Sequence, residues 1–210
     1  MRSMLSLATL TMVTLIAGAA EPKPLLNGKD LTGWQNRDGK PSEGWVVENG
    51  AITRKGAKAG DLWTKDRYGD FVLELEYKTQ GNSGVFFRTD DPKNNVQTGI
   101  EIQVDVPRGK PDKHSVGAIY DLVPPTTETA KKDEWNAMKI TAKGPKIEVQ
   151  INGTKVAEID LDRWTEPGKN PDGTKNKFKT ALKDFKREGH IGLQDHGAGV
   201  MYRNIRITSN

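Results

Sequence analysis

Apolar and polar residues alternate with a period of two through most of this chain, and tight turns break the alternation at short intervals. In an extended chain successive side chains point to opposite faces. "DFVLELEYKT" (Asp70 to Thr79) therefore puts Phe71, Leu73, Leu75 and Tyr77 on one side and Val72, Glu74 and Glu76 on the other. "TGIEIQVDV" (Thr98 to Val106) sets Ile100, Ile102, Val104 and Val106 against Glu101, Gln103 and Asp105. "GWVVENGAIT" reads as strand, turn, strand, because Asn49-Gly50 suits the two positive-φ positions of a type I′ hairpin. Asn152-Gly153 marks a second such turn within a meander running from Trp135 to Asp160. "GVFFRT" follows a "GNSG" turn, and "HIGLQDHG" with "VMYRNIRIT" reads as a closing pair of strands. Many short strands at regular spacing predict an all-β sandwich of two antiparallel sheets. One short helical insertion is expected at Lys177 to Arg187, within a Gly-, Pro-, Asn- and Lys-rich stretch from Trp164 to Glu188. Loops of that length are often functional.

The 210 residues carry no mark dividing them into two halves, so residues 20–210 are read as one domain. Met1 and Arg2, the uncharged apolar run Leu5 to Ala17 and the small-x-small "AGA" at Ala17 to Ala19 form an export signal, cleaved near Ala19 or Ala20. The apolar run is short for a membrane anchor. A periplasmic or secreted protein, with no stable membrane insertion after cleavage, is the expectation. The chain has no Cys, so disulfides and thiol catalysis are excluded and no lipoprotein cysteine is present. Its net charge of +4 lies in an excess concentrated at Lys169 to Lys186 rather than in a basic stripe interleaved with aromatics. Nucleic acid is not an expected partner.

Glu101, Gln103 and Asp105 are either the solvated back of an antiparallel sheet or the floor of a site. Phe86 and Arg88, on one face of the neighbouring "GVFFRT" if it is extended, favour the second reading, since an arginine beside a carboxylate lowers its pKa. In "GHIGLQDHG", His190, Gly192, Gln194 and His196 share one face. Two of the three histidines fall here, and either alone reads as structural. His114 sits in a Gly/Pro/Lys-rich loop able to close over a groove, or in a mobile exposed one. Tyr120 follows at the entry to another strand, and Asn82 in "GNSG" holds a turn or faces the groove. Trp135 and Trp63 serve as core or as sugar-stacking platforms. His-x5-His without a compact acidic cluster is a weak zinc pattern, and no EF-hand-like loop appears, so neither metal nor cofactor is expected. A serine nucleophile elbow, a phosphate-binding loop and a dinucleotide fingerprint are all missing.

Read in order, "LLNGKDLTGW", "GNSGVFFRT", "TGIEIQVDV", "GAIYDLVPPT", "EWNAMKI", "INGTKVAEID" and "EGHIGLQDHGAGVMYRNIRI" resemble the 3-keto-disaccharide hydrolase domain family, from about Leu25 to Ile207. The resemblance implies a concanavalin A-like jelly roll in an exported bacterial protein that cleaves glycosides already oxidised at C3. A C3 ketone acidifies the C2 proton, so a base can remove it while the glycosidic oxygen leaves C1, and water then adds to the enone. Release of the enone instead gives a lyase. Such a site needs a base, an acid and an electrophile for the enolate. On this reading Glu101 or Asp105 is the base, and His196 is the acid or orients it. Arg88 stabilises the enolate or binds hydroxyls. Gln103, Gln194, Asn82 and Tyr120 hydrogen-bond the sugar, with Trp135 and His114 as further contacts. A non-catalytic carbohydrate-binding module on the same scaffold is the alternative, and an ordinary glycosidase a third reading.

Overall fold

The computed structural model describes residues 20–56, 59–197 and 199–209; the expected signal, Met1 to Ala19, lies outside them. Thirteen strands follow in chain order: β1 Lys23–Pro24, β2 Trp34–Gln35, β3 Trp45–Glu48, β4 Ala51–Arg54, β5 Leu62–Thr64, β6 Phe71–Thr79, β7 Ser83–Thr89, β8 Ile100–Val104, β9 Asn136–Lys143, β10 Lys146–Ile151, β11 Thr154–Asp160, β12 His190–Leu193 and β13 Val200–Ser209. They form two antiparallel sheets. The larger has the order β11-β10-β9-β6-β13-β4-β3, with β1 pairing β13, and the smaller runs β2-β5-β12-β7-β8.

The hairpin turns follow from their residues. Asn49 and Gly50 adopt φ 51° and 75°, and Asn152 and Gly153 adopt 50° and 79°, the paired left-handed conformations a two-residue β-turn needs. The meander β9-β10-β11 stands as expected. β12 and β13 do not pair with each other: β12 lies between β5 and β7 in the small sheet, and β13 between β6 and β4 in the large one. Residues 177–187 hold no α-helix. Leu182–Asp184 make a single 3-10 turn, and Ala181 and Phe185 on either side are extended. Phe178, Leu182 and Phe185 bury their side chains from this irregular chain, so the apolar spacing that suggested a helix is met by a wrapping loop. The short α-helix, α1, is instead Asn95–Thr98.

Between the sheets, Leu73, Leu75, Met138 and Ile140 meet Val85, Phe87, Ile100, Ile102, Val104, Ile191 and Leu193 in one buried cluster. Phe71 and Phe87 contact edge to face, with ring centroids 5.8 Å apart. This core fixes the register of β8: with Ile100, Ile102 and Val104 inward, Glu101 and Gln103 must point out of the small sheet. The Tyr202 hydroxyl and Ser83 Oγ, 2.7 Å apart, tie the sheets across the interior, and Ser83 Oγ also donates to the Gln194 carbonyl.

Candidate active site

The outer face of the small sheet is not a solvated surface. Glu101 is 6 % exposed, Gln103 and Phe86 1 %, and Trp63 0 %. Phe86 stands opposite Glu101 on β7–β8, and Gly84 stands opposite Gln103. Gly192 of β12 lies beside both Phe86 and Trp63. Glycine is required at both positions. A Cβ on Gly192 would lie 2.3 Å from the Trp63 ring, and one on Gly84 would lie 2.4 Å from Glu101 Oε1. The missing side chains leave the space in which the Trp63 ring crosses β12 and the Glu101 carboxyl crosses β7. Trp63 and Phe86 then pack at 5.6 Å between centroids.

Beyond β8 the chain from Val116 to Tyr120 runs as a further edge. Gly117 N–H donates to the Gln103 carbonyl, Gln103 N–H to Ala118, and Tyr120 N–H to Glu101. This pairing sets Tyr120 alongside Glu101. The His114 ring lies 4.8 Å from the Tyr120 ring, and its Nε2 is 3.4 Å from Asp121. Asn82 accepts a 3.0 Å bond from Gln103 Nε2. Gln194 Nε2 donates to Glu101 Oε1 at 2.9 Å. Of the expected residues, therefore, Glu101, Gln103, Gln194, Asn82, Tyr120 and His114 belong to one side of one sheet. His196 is exposed in the loop after β12 and acts electrostatically on Asp61.

Three expected residues are placed differently. Arg88 does not join Phe86 on the outer face. Its backbone takes φ +50°, rare for a residue with a Cβ, and the β12–β7 register shifts beside it between His190 and Gly192. The side chain turns away and is 1 % exposed. It donates to the Gly69 carbonyl at 2.9 Å, the Gly144 carbonyl at 2.6 Å and Asp70 at 2.8 Å. Arg88 is thus a tie between the sheets. Asp105 is buried, accepts from Val106 N–H and is ion-paired with Arg108, so its charge is already neutralised. Trp135 stands immediately before β9 of the large sheet, where the Arg203 guanidinium covers its ring at 3.9 Å.

Two further residues complete the site. Asp61, just before β5, accepts from Asn95 Nδ2 at 2.8 Å and from Asp195 N–H at 2.9 Å. Burial raises its pKa, and the Asp195 charge adds to the effect. Lys177, from the Trp164–Glu188 insertion, holds its ammonium 3.9 Å from the centre of the Tyr120 ring. Asp61 carried a sequence signal, since alternation through Asp61-Leu62-Trp63 puts it on the side of Trp63. Lys177 carried none, because a loop places it.

The Glu101 pKa is raised to about 7, chiefly by burial and in smaller part by the Asp61 charge, with Lys177 and the Gln194 hydrogen bond acting in the opposite sense. A carboxyl at this value is divided between acid and base near neutrality, as a general base requires. Around it, Gln103 Oε1, Gln194 Oε1 and Trp63 Nε1 are buried with no hydrogen-bond partner among the described residues. Two acceptors and one donor buried without partners on the face that carries the Glu101 carboxyl suit a hydroxyl-rich ligand, since buried polar groups without partners are costly. Among the described residues no group of three or more His, Cys, Asp or Glu is arranged to hold a metal ion.

A two-sheet sandwich with a polar site on one outer face defines the class: a concanavalin A-like fold. The carbohydrate-binding module CBM66 from Bacillus subtilis shares it (TM-score 0.54 at 17% identity, over 84% of this chain and 96% of that one), a likeness of fold alone. Residues 21–208 match the 3-keto-alpha-glucoside-1,2-lyase-like domain, and the chain belongs to that family. It is 29% identical over 223 residues to a 3-keto-disaccharide hydrolase of Bacteroides thetaiotaomicron, covering 87% of this chain and 76% of the relative. A provisionally assigned glycosyl hydrolase of Parabacteroides distasonis superimposes with a TM-score of 0.81 at 35% identity, over 90% of this chain and all of that one.

Proposed function

We propose that this protein is an exported enzyme that cleaves 3-keto-glycosides by removing the C2 proton, with Glu101 as the base. The observation that carries the reading is the Glu101 carboxyl, buried on the outer sheet face and held near a pKa of about 7. The C3 carbonyl makes the C2 proton acidic, and the Glu101 carboxylate takes it. The electrons of the C2–H bond become the enolate, which re-forms the ketone as the C1–O bond breaks. His196, exposed in the loop after β12 and acting on Asp61, protonates the leaving oxygen directly or through water. Gln194 and Gln103 take sugar hydroxyls on their unpartnered Oε1 atoms. Addition of water to the enone returns a proton to C2 and gives net hydrolysis, whereas early release of the enone gives a lyase. The leader through Ala19 supports export.

A carbohydrate-binding module would display its aromatic residues, whereas Trp63 and Phe86 are buried. An ordinary glycosidase would cleave the unoxidised disaccharide, which the proposed enzyme should not. The test incubates the purified protein with a 3-keto-disaccharide and with its unoxidised parent, alongside Glu101→Gln and His196→Ala. Cleavage of the keto substrate alone, abolished in Glu101→Gln and slowed in His196→Ala, supports the reading. Rates equal to the no-protein control for both substrates would refute it.

A further inference from the structure

Removal of the C2 proton creates an oxyanion at C3, and a cation is needed to meet it. Arg88 is committed to Gly69, Gly144 and Asp70, and Arg108 to Asp105. Lys113 is paired with Asp121 at 2.7 Å. Lys177 differs from all three. Its ammonium makes no hydrogen bond and has no carboxylate within ion-pair distance among the described residues; it rests on the Tyr120 ring at 3.9 Å and lies 5.5 Å from the Phe178 ring. An aromatic face stabilises the cation without consuming its N–H donors.

The ammonium sits on an anchored backbone. Lys177 N–H donates to Asp121 Oδ2 at 2.7 Å, and its carbonyl accepts from Gln97 Nε2 at 3.1 Å. Lys179 N–H donates to Gln97 Oε1 at 2.9 Å. The insertion is therefore pinned between α1 and the Tyr120–Asp121 corner. Tyr120 is bonded through its backbone to Glu101, so the lysine charge and the carboxyl occupy one neighbourhood. Burial weakens the ammonium, and Glu101 and Asp121 sustain it.

We infer that the Lys177 ammonium is the electrophile that reads the C3 carbonyl and stabilises its enolate, which makes it a catalytic and specificity-determining residue. The inference rests on the proposed cleavage of 3-keto-glycosides. In the step it serves, the C2–H electron pair forms the C2=C3 bond, the carbonyl pair moves onto oxygen against the ammonium, and the proton passes to Glu101. Collapse of the oxyanion then expels the C1 oxygen. Lysine is unchanged at the end, and no other reactant is consumed.

The chain contains no Cys, so Lys177→Cys creates a single thiol that 2-bromoethylamine converts into a lysine analogue at this position alone. Cleavage of a 3-keto-disaccharide should fall by about 100-fold or more in Lys177→Cys, the scale of losing one oxyanion donor. Aminoethylation should restore most of it. Binding of the unoxidised parent, followed by calorimetry, should match the unsubstituted protein in both forms, which also verifies folding. If the unsubstituted protein cleaves the keto substrate and Lys177→Cys does so at a similar rate, Lys177 has no such role and the proposed function stands. Equal losses of cleavage and parent binding, or no recovery on aminoethylation, also overturn the role. Failure of the unsubstituted protein to cleave the keto substrate overturns both.

Discussion

Replacing Glu101 by Gln should make the protein inactive and, in alkaline solution, more stable. Gln keeps the shape and can still accept the Gln194 bond through Oε1, so what is removed is the ionisable group. Its pKa rises from 4.5 to about 7 on folding, chiefly through burial. Between those values the unfolded chain is ionised while the folded one still holds its proton. Stability supplied by this group is therefore full below 4.5, falls as pH rises through the window, and levels off above about 7. Each unit is worth about 1.4 kcal/mol, so the charged carboxyl costs about 3 kcal/mol at pH 8.5 and under about 1 kcal/mol at pH 5. Urea unfolding of both proteins at the two pH values measures the difference. Glu101→Gln should gain about 2–3 kcal/mol over the unsubstituted protein at pH 8.5 relative to pH 5. Parallel stability curves across that range would show that Glu101 is not held in an environment that disfavours its charge, and its assignment as a base tuned to neutrality would fall.

Gly84→Ala should lower keto-substrate cleavage by about tenfold or more, since a 1 Å misplacement at a reacting group can cost more than that. Its Cβ would press on Glu101 Oε1 and displace the carboxyl from Gln194, and the stability cost of such overpacking is about 1–3 kcal/mol. Steady-state rates and urea midpoints separate the two effects. Arg88→Met should lose about 3 kcal/mol, mainly from leaving buried acceptors without their charged donor. Cleavage per folded molecule should remain close to that of the unsubstituted protein. A large fall in kcat without loss of Tm would return Arg88 to the reaction.

The sandwich was legible because its rules are local. Alternation in Phe71–Thr79 and Ile100–Val104 assigned inner and outer faces, and two Asn-Gly pairs fixed two hairpins. Glu101 could be found because its neighbours Ile100 and Ile102 so plainly face inward. Arg88 could not be placed, because one left-handed residue beside a register shift breaks the alternation that assigned it to the outer face. Trp135 was misplaced for a different reason: sequence gives a strand its faces but not its sheet, and β9, which begins just after Trp135, joins the sheet away from Glu101. Asp105 lies just past β8, yet its pairing with Arg108 depends on the path of the following loop. Lys177 was hidden among the lysines of an insertion. Only the bonds from Asp121 and Gln97 bring that one ammonium to Tyr120.

The fate of the C2 hydrogen tests the central chemistry most directly. A 3-keto-disaccharide carrying deuterium at C2 is cleaved in ordinary water, with the oxidised sugar alone, incubated in parallel, as the control for spontaneous exchange. Base-initiated elimination at Glu101 predicts slower cleavage than for the unlabelled substrate, and loss of the label at the rate of cleavage. Cleavage at an undiminished rate, with deuterium retained at C2 of the product, would mean that the bond breaks without a C2 carbanion and would contradict the account.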